Sequence, residues 1–558
     1  MSRSPETAPL LLLASLLTVA TLLTLFVLRS LDDNTLTSWR WVFAPADAWR
    51  LFLWLALAVL LAHLAGALTL RPLRPAPVLF AGAFASTAML WSEPEVIVDA
   101  ARYFTQAKHL ESYGIAHFFR AWGGELSAWT DLPLVPLVHG ALFSLLGEER
   151  VYIQACNSLL FAGTVVLTWH IGRLLWDETV GSLAGALLLG MPFLLVQVPL
   201  TLADVPTMFF VTLAAFATLT ALRHGGPAGI ILAAAAIALA LFAKYSAWLM
   251  LTILPVLALV EARGRPAVVW RRAAAIAGVA LLLVVPALLT MADVIGAQLA
   301  LLRDYQAPGL GRWEESFAST LLFQIHPFIA IAAAVSLWLA WRTRDWRYAA
   351  IAWLPLLMLV LGIRRARYLV PVLPMLALMA AYGLQAIRCA ALRRHVALCT
   401  VATSLAIVFC GFLPFLQGTS AANLRLAGAY LDSLETEAVE VVALPQIRVP
   451  VNAEIAVPLL DLHTGTRLVS RAARAPSPPD VARMPLRFTW EHRNPAFYGA
   501  VDKGPLPVAV IAGPGAESLP PWLAQRLAHH GLSREFAVSE NVFGYQTLVS
   551  VYLPAAAD

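Results

Sequence analysis

Charged residues are scarce in this sequence: they make up 13% of its 558 residues, whereas 60% are hydrophobic. A soluble protein of this length carries roughly 25% charged residues. Lysine is almost absent, with only Lys108, Lys244 and Lys503 in the chain, so arginine carries nearly all the positive charge. The mean hydropathy is +0.73. This composition excludes an ordinary soluble domain and predicts a polytopic membrane protein.

Cysteine and the common catalytic motifs are also missing or rare. The four cysteines lie within or beside apolar segments, which argues against a disulfide framework or a zinc site. There is no P-loop, dinucleotide-binding glycine fingerprint, Cys/His metal pattern or serine nucleophile elbow, so a nucleotide-driven mechanism has no support. The arginines sit in short clusters between apolar runs, which is a topology signal, and no nucleic-acid partner is expected.

Apolar runs of membrane length are what the sequence has in abundance. A spanning helix needs about 20 apolar residues. About thirteen runs qualify, at residues 9–29, 49–70, 76–92, 151–172, 180–200, 205–222, 227–243, 246–261, 273–291, 319–341, 348–363, 368–387 and 396–416. The first run is longer than a signal-peptide core, so we expect it to be retained as a span.

Arginines in the short loops predict an orientation. If the amino terminus, with Arg3, is cytoplasmic, then every loop expected on that side is basic, beginning with the loop that holds Arg71 and Arg74. This orientation puts the long acidic loop at 93–150 and the carboxy-terminal region on the non-cytoplasmic side, which we expect to be the periplasmic side of a bacterial inner membrane. The segment RRARY, residues 364–368, breaks the rule by placing three arginines on the outer side.

The chain divides into three predicted parts. Residues 1–75 form an amino-terminal transmembrane hairpin, residues 76–418 a transmembrane module with the outer loop 93–150, and residues 419–558 a soluble α/β domain. In that domain AVEVVAL (438–444) and PVAVIAG (507–513) are typical of buried strands. The segment 521–531 predicts a helix ended by glycine, and two closing strands follow it. The predicted fold class is therefore an α-helical polytopic membrane protein of about thirteen spans with a small α/β domain.

The outer loop opens with the acidic stretch WSEPEVIVDAARYFTQAKHLESYG, residues 91–114. If this stretch is helical, Glu95, Asp99 and Tyr103 are spaced four apart and share a face. Carboxylates grouped there could act as a general base or ligate a divalent cation. The alternative is a solvated acidic helix start, stabilised by the helix dipole. The apolar run at 133–147 is too short to span and predicts a helix in the membrane interface.

Two further aspartates stand close to prolines. Asp131 lies in AWTDLPLVP and Asp204 in LADVPTMFF. A helix-capping role explains each of them, and a binding role is the alternative. Asp204 is expected on the same membrane face as Asp99, so the two side chains could converge.

Cations are expected on that face as well. Lys244, in ALFAKYSAW, is either a snorkelling anchor or a contact to an anionic group. Arg365, Arg367 and Tyr368 open a late span. Arginines on the side that the charge rule disfavours suggest an anionic partner such as a phosphate at headgroup level, with headgroup anchoring as the alternative.

These landmarks, taken in order over residues 76–416, resemble the polytopic glycosyltransferases of the GT-C fold class. The branch that they are similar to contains the protein mannosyltransferases and the lipid A aminoarabinose transferases. The matching segments are the Asp99–Tyr103 stretch, TDLPLVPLVHGALFSLLGEE, LADVPTMFF and RARYLVPVLP. The family often has Asp-Glu in its first motif, whereas Ala100 follows Asp99 here.

The resemblance implies transfer of a sugar from a polyprenyl-phosphate donor to a lipid, glycan or protein acceptor on the outer face. Asp99 would be the catalytic base or a metal-facing carboxylate, and Asp204 would shape the site. The second acid could come from Glu95 or Asp131, and Arg365, Arg367 and Lys244 would hold the carrier phosphate. The resemblance implies no certain cofactor, and a divalent cation at Asp99 is the one candidate. A transporter or flippase of a lipid-linked or small anionic solute is the alternative function.

Overall fold

The computed structural model describes residues 7–35, 37–67, 74–419, 421–446, 449–471, 480–499, 505–514, 519–537 and 545–555. Arg3 and Arg71, on which the orientation argument partly rests, lie outside these ranges. Within them the chain forms a bundle of apolar helices with a five-stranded sheet towards the carboxy terminus.

The amino-terminal part is a pair of long apolar helices joined through a short one: α1 (Thr7–Val27), α2 (Trp39–Val42) and α3 (Ala48–Ala67). Many leucines of the two long helices are exposed, as expected for a surface that faces lipid. Both long helices also pack against the late helix Ala390–Ile407. The amino-terminal pair is therefore an integral part of the bundle.

The predicted outer loop follows the next apolar helix and is largely helical. The helices here are α4 (Pro75–Ala88), α5 (Asp99–Tyr113), α6 (Ile115–Ala121) and α7 (Leu134–Leu146). Tyr103, Ala107 and Leu110 are all buried on α5, as their helical spacing indicates. Gly140 lets α7 approach α5 closely, because a Cβ at that position would lie 2.7 Å from the Ala107 carbonyl oxygen.

The main bundle continues with fifteen described helices, several of which carry proline in their first turn, where a missing N–H is harmless. They are α8 (Arg150–Leu175), α9 (Glu178–Leu189), α10 (Pro192–Gln197), α11 (Asp204–His224), α12 (Pro227–Ala243), α13 (Tyr245–Met250), α14 (Ile253–Ala262), α15 (Pro266–Thr290), α16 (Ala292–Leu301), α17 (Pro327–Thr343), α18 (Tyr348–Val360), α19 (Ala366–Leu369), α20 (Leu373–Gly383), α21 (Ala390–Ile407) and α22 (Leu413–Gly418).

Helix length and composition make this a multi-pass membrane protein. Among the described residues, eight helical stretches are long and apolar enough to cross a membrane: Thr7–Val27, Ala48–Gly66, Arg150–Leu175, Asp204–His224, Tyr245–Ala262, Pro266–Thr290, Ala366–Ala386 and Ala390–Gly418. The other five predicted runs coincide with shorter apolar helices, namely α4, α9, α12, α17 and α18. That these five also cross the membrane stays a prediction, and so does the interfacial position of α7.

The carboxy-terminal region folds into a small α/β unit. Its strands are β1 (Ala438–Ala443), β2 (Arg467–Ser470), β3 (Val508–Ala512), β4 (His530–Phe536) and β5 (Leu548–Pro554), and its α-helices are α23 (Ala422–Asp432), α24 (Ala456–Asp461), α25 (Arg487–Glu491) and α26 (Pro521–Arg526). The sheet order is β2-β1-β3-β5-β4. The first three strands of that order are parallel, and β5 is antiparallel to both of its neighbours.

Most strand predictions are confirmed, and one helix prediction is wrong in its extent. β1, β3 and β5 lie where the sequence pattern placed them, whereas β4 begins four residues before the strand predicted at REFAVSE, residues 534–540, whose last three residues lie outside the described ranges. The helix predicted over 521–531 ends at Arg526, because the chain turns there and His530 and Gly531 already belong to β4. The pattern also missed β2, which is only four residues long and has polar residues at both ends.

The small α/β unit shares its hydrophobic core with the outer loop. Ala100 and Phe104 of α5 and Phe143 of α7 belong to the same buried cluster as Val439 of β1 and Ile511 of β3. The sheet is therefore packed directly on α5, which begins at Asp99, and on α7, which follows Asp131 after a short loop. The division of the chain at residues 75 and 418 stays a prediction.

Candidate active site

A chain of ion pairs joins four elements at one end of the bundle, which we call the carboxylate end. The Asp204 Oδ1 accepts a hydrogen bond from the Lys244 Nζ at 2.6 Å, and its Oδ2 accepts one from the Arg367 Nε at 2.9 Å. The same Arg367 guanidinium donates to the Asp99 Oδ2. One arginine therefore bridges the two aspartates that the sequence singled out.

The members of this chain lie where helices begin or break. Asp204 is the first residue of α11, and Arg367 belongs to the four-residue helix α19. Lys244 is an extended residue between α12 and α13. The capping role considered for Asp204 is wrong, because the residue lies inside the helix and both its oxygens are occupied by side-chain cations.

The cluster is deeply buried and internally neutralised. The side chains of Arg367 and Asp204 are 5% and 3% exposed, and that of Asp99 is 18% exposed. Burying an unpaired charge at this depth would cost roughly several kcal/mol for each ion. Each aspartate of the cluster contacts a cation, and this pairing lowers the cost. Burial raises the pKa of Asp99, but Arg367 and then Arg102 outweigh it and hold the pKa below its ordinary value. Asp99 is thus an ionised carboxylate.

Asp131 forms a second ion pair with Arg102, which lies one turn after Asp99 on α5. The Arg102 guanidinium donates to both Asp131 oxygens, and the Gln106 Nε2 donates to the Asp131 Oδ2 at 3.1 Å. Arg102 also lies 4.0 Å from the Asp99 Oδ1. The capping interpretation of Asp131 is wrong, because the N-cap of α7 is Pro133 and has no side-chain hydrogen bond.

A cleft with about 690 Å³ of open space lies beside these pairs. We call it the candidate active-site cleft, or simply the cleft. Its wall combines cations, one carboxylate and a group of aromatic rings: Ile97, Val98, Asp99, Arg102, Trp129, Tyr305, Gln306, Gly309, Arg312, Trp313, Arg365, Arg367, Tyr368, Leu486 and Phe488. Asp99, Arg365, Arg367 and Tyr368, predicted from separate parts of the sequence, therefore border one space.

Arg365 is a cation of this wall that has only a distant carboxylate partner. Its guanidinium carbon lies 4.5 Å from the Trp313 ring centroid and 5.1 Å from that of Tyr368. Its Nη1 donates to the Tyr368 hydroxyl at 3.3 Å, and its Nε is 4.0 Å from the Glu315 carboxylate. Aromatic faces hold a guanidinium in place and leave its donors free for an anion.

Glu95 and Tyr103 lie next to the cleft rather than in its wall. The shared helix face proposed for Glu95 is wrong, because α5 begins at Asp99 and Glu95 follows Pro94 in an extended segment. The Glu95 Oε1 accepts hydrogen bonds from the Thr201 backbone and hydroxyl, at 2.9 Å and 2.8 Å. Tyr103 is 2% exposed, and burial raises its pKa well above the ordinary value.

The residues present do not form a divalent-cation site around Asp99. Its oxygens face the guanidinium groups of Arg367 and Arg102, which repel a metal ion. Within the described ranges, no three His, Cys, Asp or Glu side chains come together as a metal-ligand group.

An apolar groove of about 740 Å³ opens between α17, α18 and α20. Its wall includes Phe317, Leu321, Ile325, Leu337, Pro355, Met358, Leu369, Val372, Leu373, Leu376 and Met379. Leu369 and Val372 follow Arg365 and Tyr368 within one short stretch of chain. The stretch that begins at Arg365 therefore lines the cleft with its first residues and the apolar groove with the residues that follow.

Several residues of the cleft escaped the sequence analysis. Arg102 had a usable signal, since it stands three residues after Asp99 on a predicted helix, a spacing that brings opposite charges together. Trp129, Tyr305 and Phe488 had none. They lie in three loops or short helical turns far apart in the chain, and only the folded structure brings them together.

The comparisons with known proteins bear on both sequence and fold. Residues 131–289 match the family model of Dolichyl-phosphate-mannose-protein mannosyltransferase. No curated protein sequence matches the chain. The matched segment begins at Asp131 and contains Asp204 and Lys244, so the resemblance drawn from the sequence is supported over that part of the chain.

Solved structures with a similar fold include ArnT from Cupriavidus metallidurans bound to undecaprenyl phosphate. That comparison has a TM-score of 0.52 at 14% identity and covers 85% of this chain and 97% of the other. The apo state of the same protein gives a TM-score of 0.50 at 14% identity, covering 84% and 97%. The oligosaccharyltransferase AglB from Archaeoglobus fulgidus gives 0.44 at 11% identity, covering 66% and 62%. The chain therefore has the ArnT-like GT-C fold that the resemblance implied.

Proposed function

We propose that this protein is a membrane glycosyltransferase that takes a sugar from a polyprenyl-phosphate donor and passes it to an acceptor at the extracytoplasmic face. The observation that carries the proposal is the convergence of Asp99, Arg365 and Arg367 on one cleft. The family match over 131–289 supports the reaction class. The shared fold with ArnT, whose structure contains undecaprenyl phosphate, supports the carrier class.

The proposed reaction is a displacement at the anomeric carbon of the donor sugar. The acceptor hydroxyl oxygen forms a bond to this carbon while the bond to the carrier phosphate breaks, and the electron pair leaves with the phosphate oxygen. The hydroxyl proton passes to Asp99. A positioned carboxylate of this kind accelerates a reaction typically 10²–10⁴-fold, roughly.

The resting state of Asp99 fits this role through its partners. Arg367 and Arg102 keep its pKa low, so the carboxylate is ionised but weakly basic. When a carrier phosphate shares the Arg367 guanidinium, less positive charge acts on Asp99 and its pKa rises towards the ordinary value. Donor binding would therefore strengthen the base at the moment when it is needed.

Arg365 is the side chain best suited to grip the carrier phosphate first. It is fixed on the rings of Trp313 and Tyr368 and lies 4.0 Å from its only carboxylate neighbour among the described ion pairs, Glu315. A planar guanidinium matches two phosphate oxygens at once. The tightly paired Lys244 would act through Asp204, whose charge it neutralises.

The apolar groove offers a place for the prenyl chain. It opens between membrane-type helices and shares with the cleft the stretch of chain around Tyr368 and Leu369. A donor bound across both would leave its lipid among apolar side chains and its phosphate near Arg365. In this arrangement the protein lies in a bacterial inner membrane with the cleft towards the periplasm.

The test is a transfer assay with purified protein. A panel of labelled undecaprenyl-phosphate sugars is incubated with an extract of cell-envelope material, and the labelled product is identified as lipid, glycan or protein. We expect one donor to yield a new product with the wild-type protein and none with Asp99→Asn. Full activity of folded Asp99→Asn would overturn the proposal. Movement of labelled donor across a vesicle membrane without any new product would favour the flippase alternative instead.

A further inference from the structure

The carboxy-terminal α/β unit contributes part of the candidate active-site cleft. Leu486 and Phe488 line the same space as Asp99 and Arg367, although they are more than a hundred residues further along the chain. The Arg102 guanidinium carbon lies 4.6 Å from the centroid of the Phe488 ring. Phe488 therefore contacts the arginine that pairs with Asp131. The unit is thus joined to the reacting groups and not merely attached to the bundle.

Phe488 belongs to a patch of three aromatic rings drawn from three separate segments, which we call the aromatic patch. The Trp129 centroid lies 5.8 Å from that of Tyr305 and 6.2 Å from that of Phe488. Trp129 comes from the outer loop and Tyr305 from a helical turn between α16 and α17. Trp129 and Tyr305 are partly exposed, whereas Phe488 is 7% exposed. Arg312 lies over the Tyr305 ring and Arg102 over the Phe488 ring, so a ligand can reach only the ring surface that lines the cleft.

The segment that carries Phe488 is held in place by one hydroxyl group. The Tyr305 hydroxyl donates to the Met484 carbonyl oxygen at 2.6 Å and accepts from the Arg487 backbone N–H at 3.2 Å. It also accepts from the Arg312 Nη1 at 2.8 Å. All three hydrogen-bonding positions of this hydroxyl are used, and two of them fix residues 484–488 against the cleft.

Backbone strain is concentrated around the same place. Trp129 and Leu486 have positive φ angles of 48° and 56°, and both line the cleft. Glu314, next to Trp313 of the wall, has a φ of 53°. In residues other than glycine, such conformations cost roughly 1–3 kcal/mol, and they are found chiefly at functional sites. The aromatic patch is therefore held in its shape against a local preference.

We infer that the aromatic patch of Trp129, Tyr305 and Phe488 is the acceptor-side subsite of this cleft and binds a saccharide ring of the acceptor. The inference rests on the proposed function. The lipid donor is assigned to the part of the cleft wall formed by Arg365 and Tyr368, so the acceptor is assigned to the part formed by the aromatic patch. Aromatic rings at that wall offer apolar faces that match the C–H face of a sugar ring.

On this basis Phe488 is a specificity-determining residue, and Tyr305 is both a ring of the patch and the positioning residue for Phe488. The carboxy-terminal unit would select the acceptor, while the membrane helices would hold the donor. Losing a ring should then weaken acceptor use without weakening the binding of the carrier.

Three variants test this. Phe488→Leu removes the ring while keeping a core residue of similar size, and Tyr305→Phe keeps the ring while removing the hydroxyl. Tyr430→Phe is the matched control, because the Tyr430 hydroxyl bonds Ser533 within the same unit at 2.6 Å and lies outside the cleft. Each variant is measured for undecaprenyl phosphate binding, for transfer to envelope acceptor, and for binding of methyl glycosides by saturation-transfer difference NMR.

We expect Phe488→Leu and Tyr305→Phe to raise the KM for acceptor about tenfold and to weaken the glycoside signal, while undecaprenyl phosphate affinity stays within about twofold. Tyr430→Phe should leave all three quantities unchanged. The inference is overturned if Phe488→Leu leaves both acceptor KM and glycoside binding unchanged, or if carrier affinity falls in parallel with them.

The glycoside arm separates this inference from the proposed function. If the wild-type protein transfers no sugar, the proposed function fails. Glycoside binding that is lost in Phe488→Leu would still establish the aromatic patch as a saccharide site. If the wild-type protein shows neither transfer nor glycoside binding, both proposals fall.

Discussion

Arginines stand at both ends of the helical bundle, but their surroundings differ. At the end opposite to Asp204, which we call the basic end, Arg223 donates to the Leu174 carbonyl oxygen, and Arg272 donates to that of Leu222 at 2.8 Å. Arg347 donates to the Leu175 carbonyl oxygen at 2.7 Å. These guanidinium groups satisfy free carbonyls at helix carboxy termini, and Arg223 and Arg347 each pair in addition with one carboxylate, Glu261 and Asp345.

At the carboxylate end, by contrast, arginines are buried among carboxylates and aromatic rings. Arg367 is 5% exposed and bridges two aspartates, whereas Arg347 is 48% exposed. Buried ion pairs are weak contributors to stability, because desolvation offsets their attraction. A fold that needed arginine only for topology would use the arrangement of the basic end at both ends. The difference supports the proposal that charge serves a ligand at the carboxylate end.

The largest expected effect is a difference in transfer rate between variants of Asp99 and of Asp345. Asp345 pairs with Arg347 at the basic end. Asp99→Asn should lower the transfer rate by about 10²–10⁴-fold, because the proton acceptor is lost. Asp345→Asn should leave the rate within a factor of about three. The measurement is labelled-product formation at equal amounts of monodisperse protein. Equal rates for the two variants would remove the functional distinction between the ends.

A second contrast concerns stability. Arg367→Met leaves Asp99 and Asp204 without their shared cation and should cost about 3–5 kcal/mol of unfolding free energy. Arg347→Met removes a half-exposed partner and should cost roughly 0–1 kcal/mol. Denaturant midpoints in detergent measure both. Adding Asp204→Asn to Arg367→Met should recover part of the loss, and no recovery would show that the ion pairs are not the cause.

A third contrast is in carrier affinity. Arg365→Lys keeps the charge but loses the planar fork, so undecaprenyl phosphate should bind about 10–100-fold more weakly. Arg347→Lys, the same change at the basic end, should alter the affinity by less than about twofold. Titration of detergent-solubilised protein with undecaprenyl phosphate gives both dissociation constants. Parallel losses would mean that the carrier is attracted by overall charge.

The smallest expected effect is a pH dependence near the carboxylate end. The Lys108 Nζ lies 2.7 Å from the Glu148 Oε1 and 2.6 Å from the Asp461 Oδ2, joining α5 to the carboxy-terminal unit. Burial raises the pKa of Glu148 from 4.5 to about 7, against the opposing effect of Lys108. The folded protein therefore keeps a proton that the unfolded chain has already lost.

It follows that stability should fall as pH rises from about 4.5 to about 7, by an amount on the order of 1 kcal/mol. Glu148→Gln has no proton to lose and should flatten this part of the profile. Thermal unfolding of both proteins across that range measures the slope. A wild-type stability that instead rises over the range attributed to Glu148 would contradict the assignment.

The sequence predicted the membrane class, the apolar helices and most of the sheet, because hydrophobic runs and strand patterns are local signals. It also named Asp99, Asp204, Lys244 and Arg367, because charge beside apolar runs stands out. It could not tell that Asp131 binds Arg102 instead of capping α7, since both roles are compatible with the same few residues.

What the sequence could not supply was long-range contact. Glu95 was assigned to a helix because its spacing allowed that. Its partners Arg150 and Thr201, which lie far along the chain, explain why it is held in a segment outside the helix. Phe488 is one apolar residue in a polar region and becomes notable only beside Trp129 and Arg102. The sequence has no periodic pattern that relates such residues, so their contacts are visible only in the tertiary structure.

The most direct test of the account is an experimental structure of the protein with undecaprenyl phosphate. The account predicts the phosphate within hydrogen-bonding distance of Arg365, with the prenyl chain entering the apolar groove. A phosphate seated instead at the basic end, beside Arg272 and Arg347, would contradict the claim that the two ends have different functions.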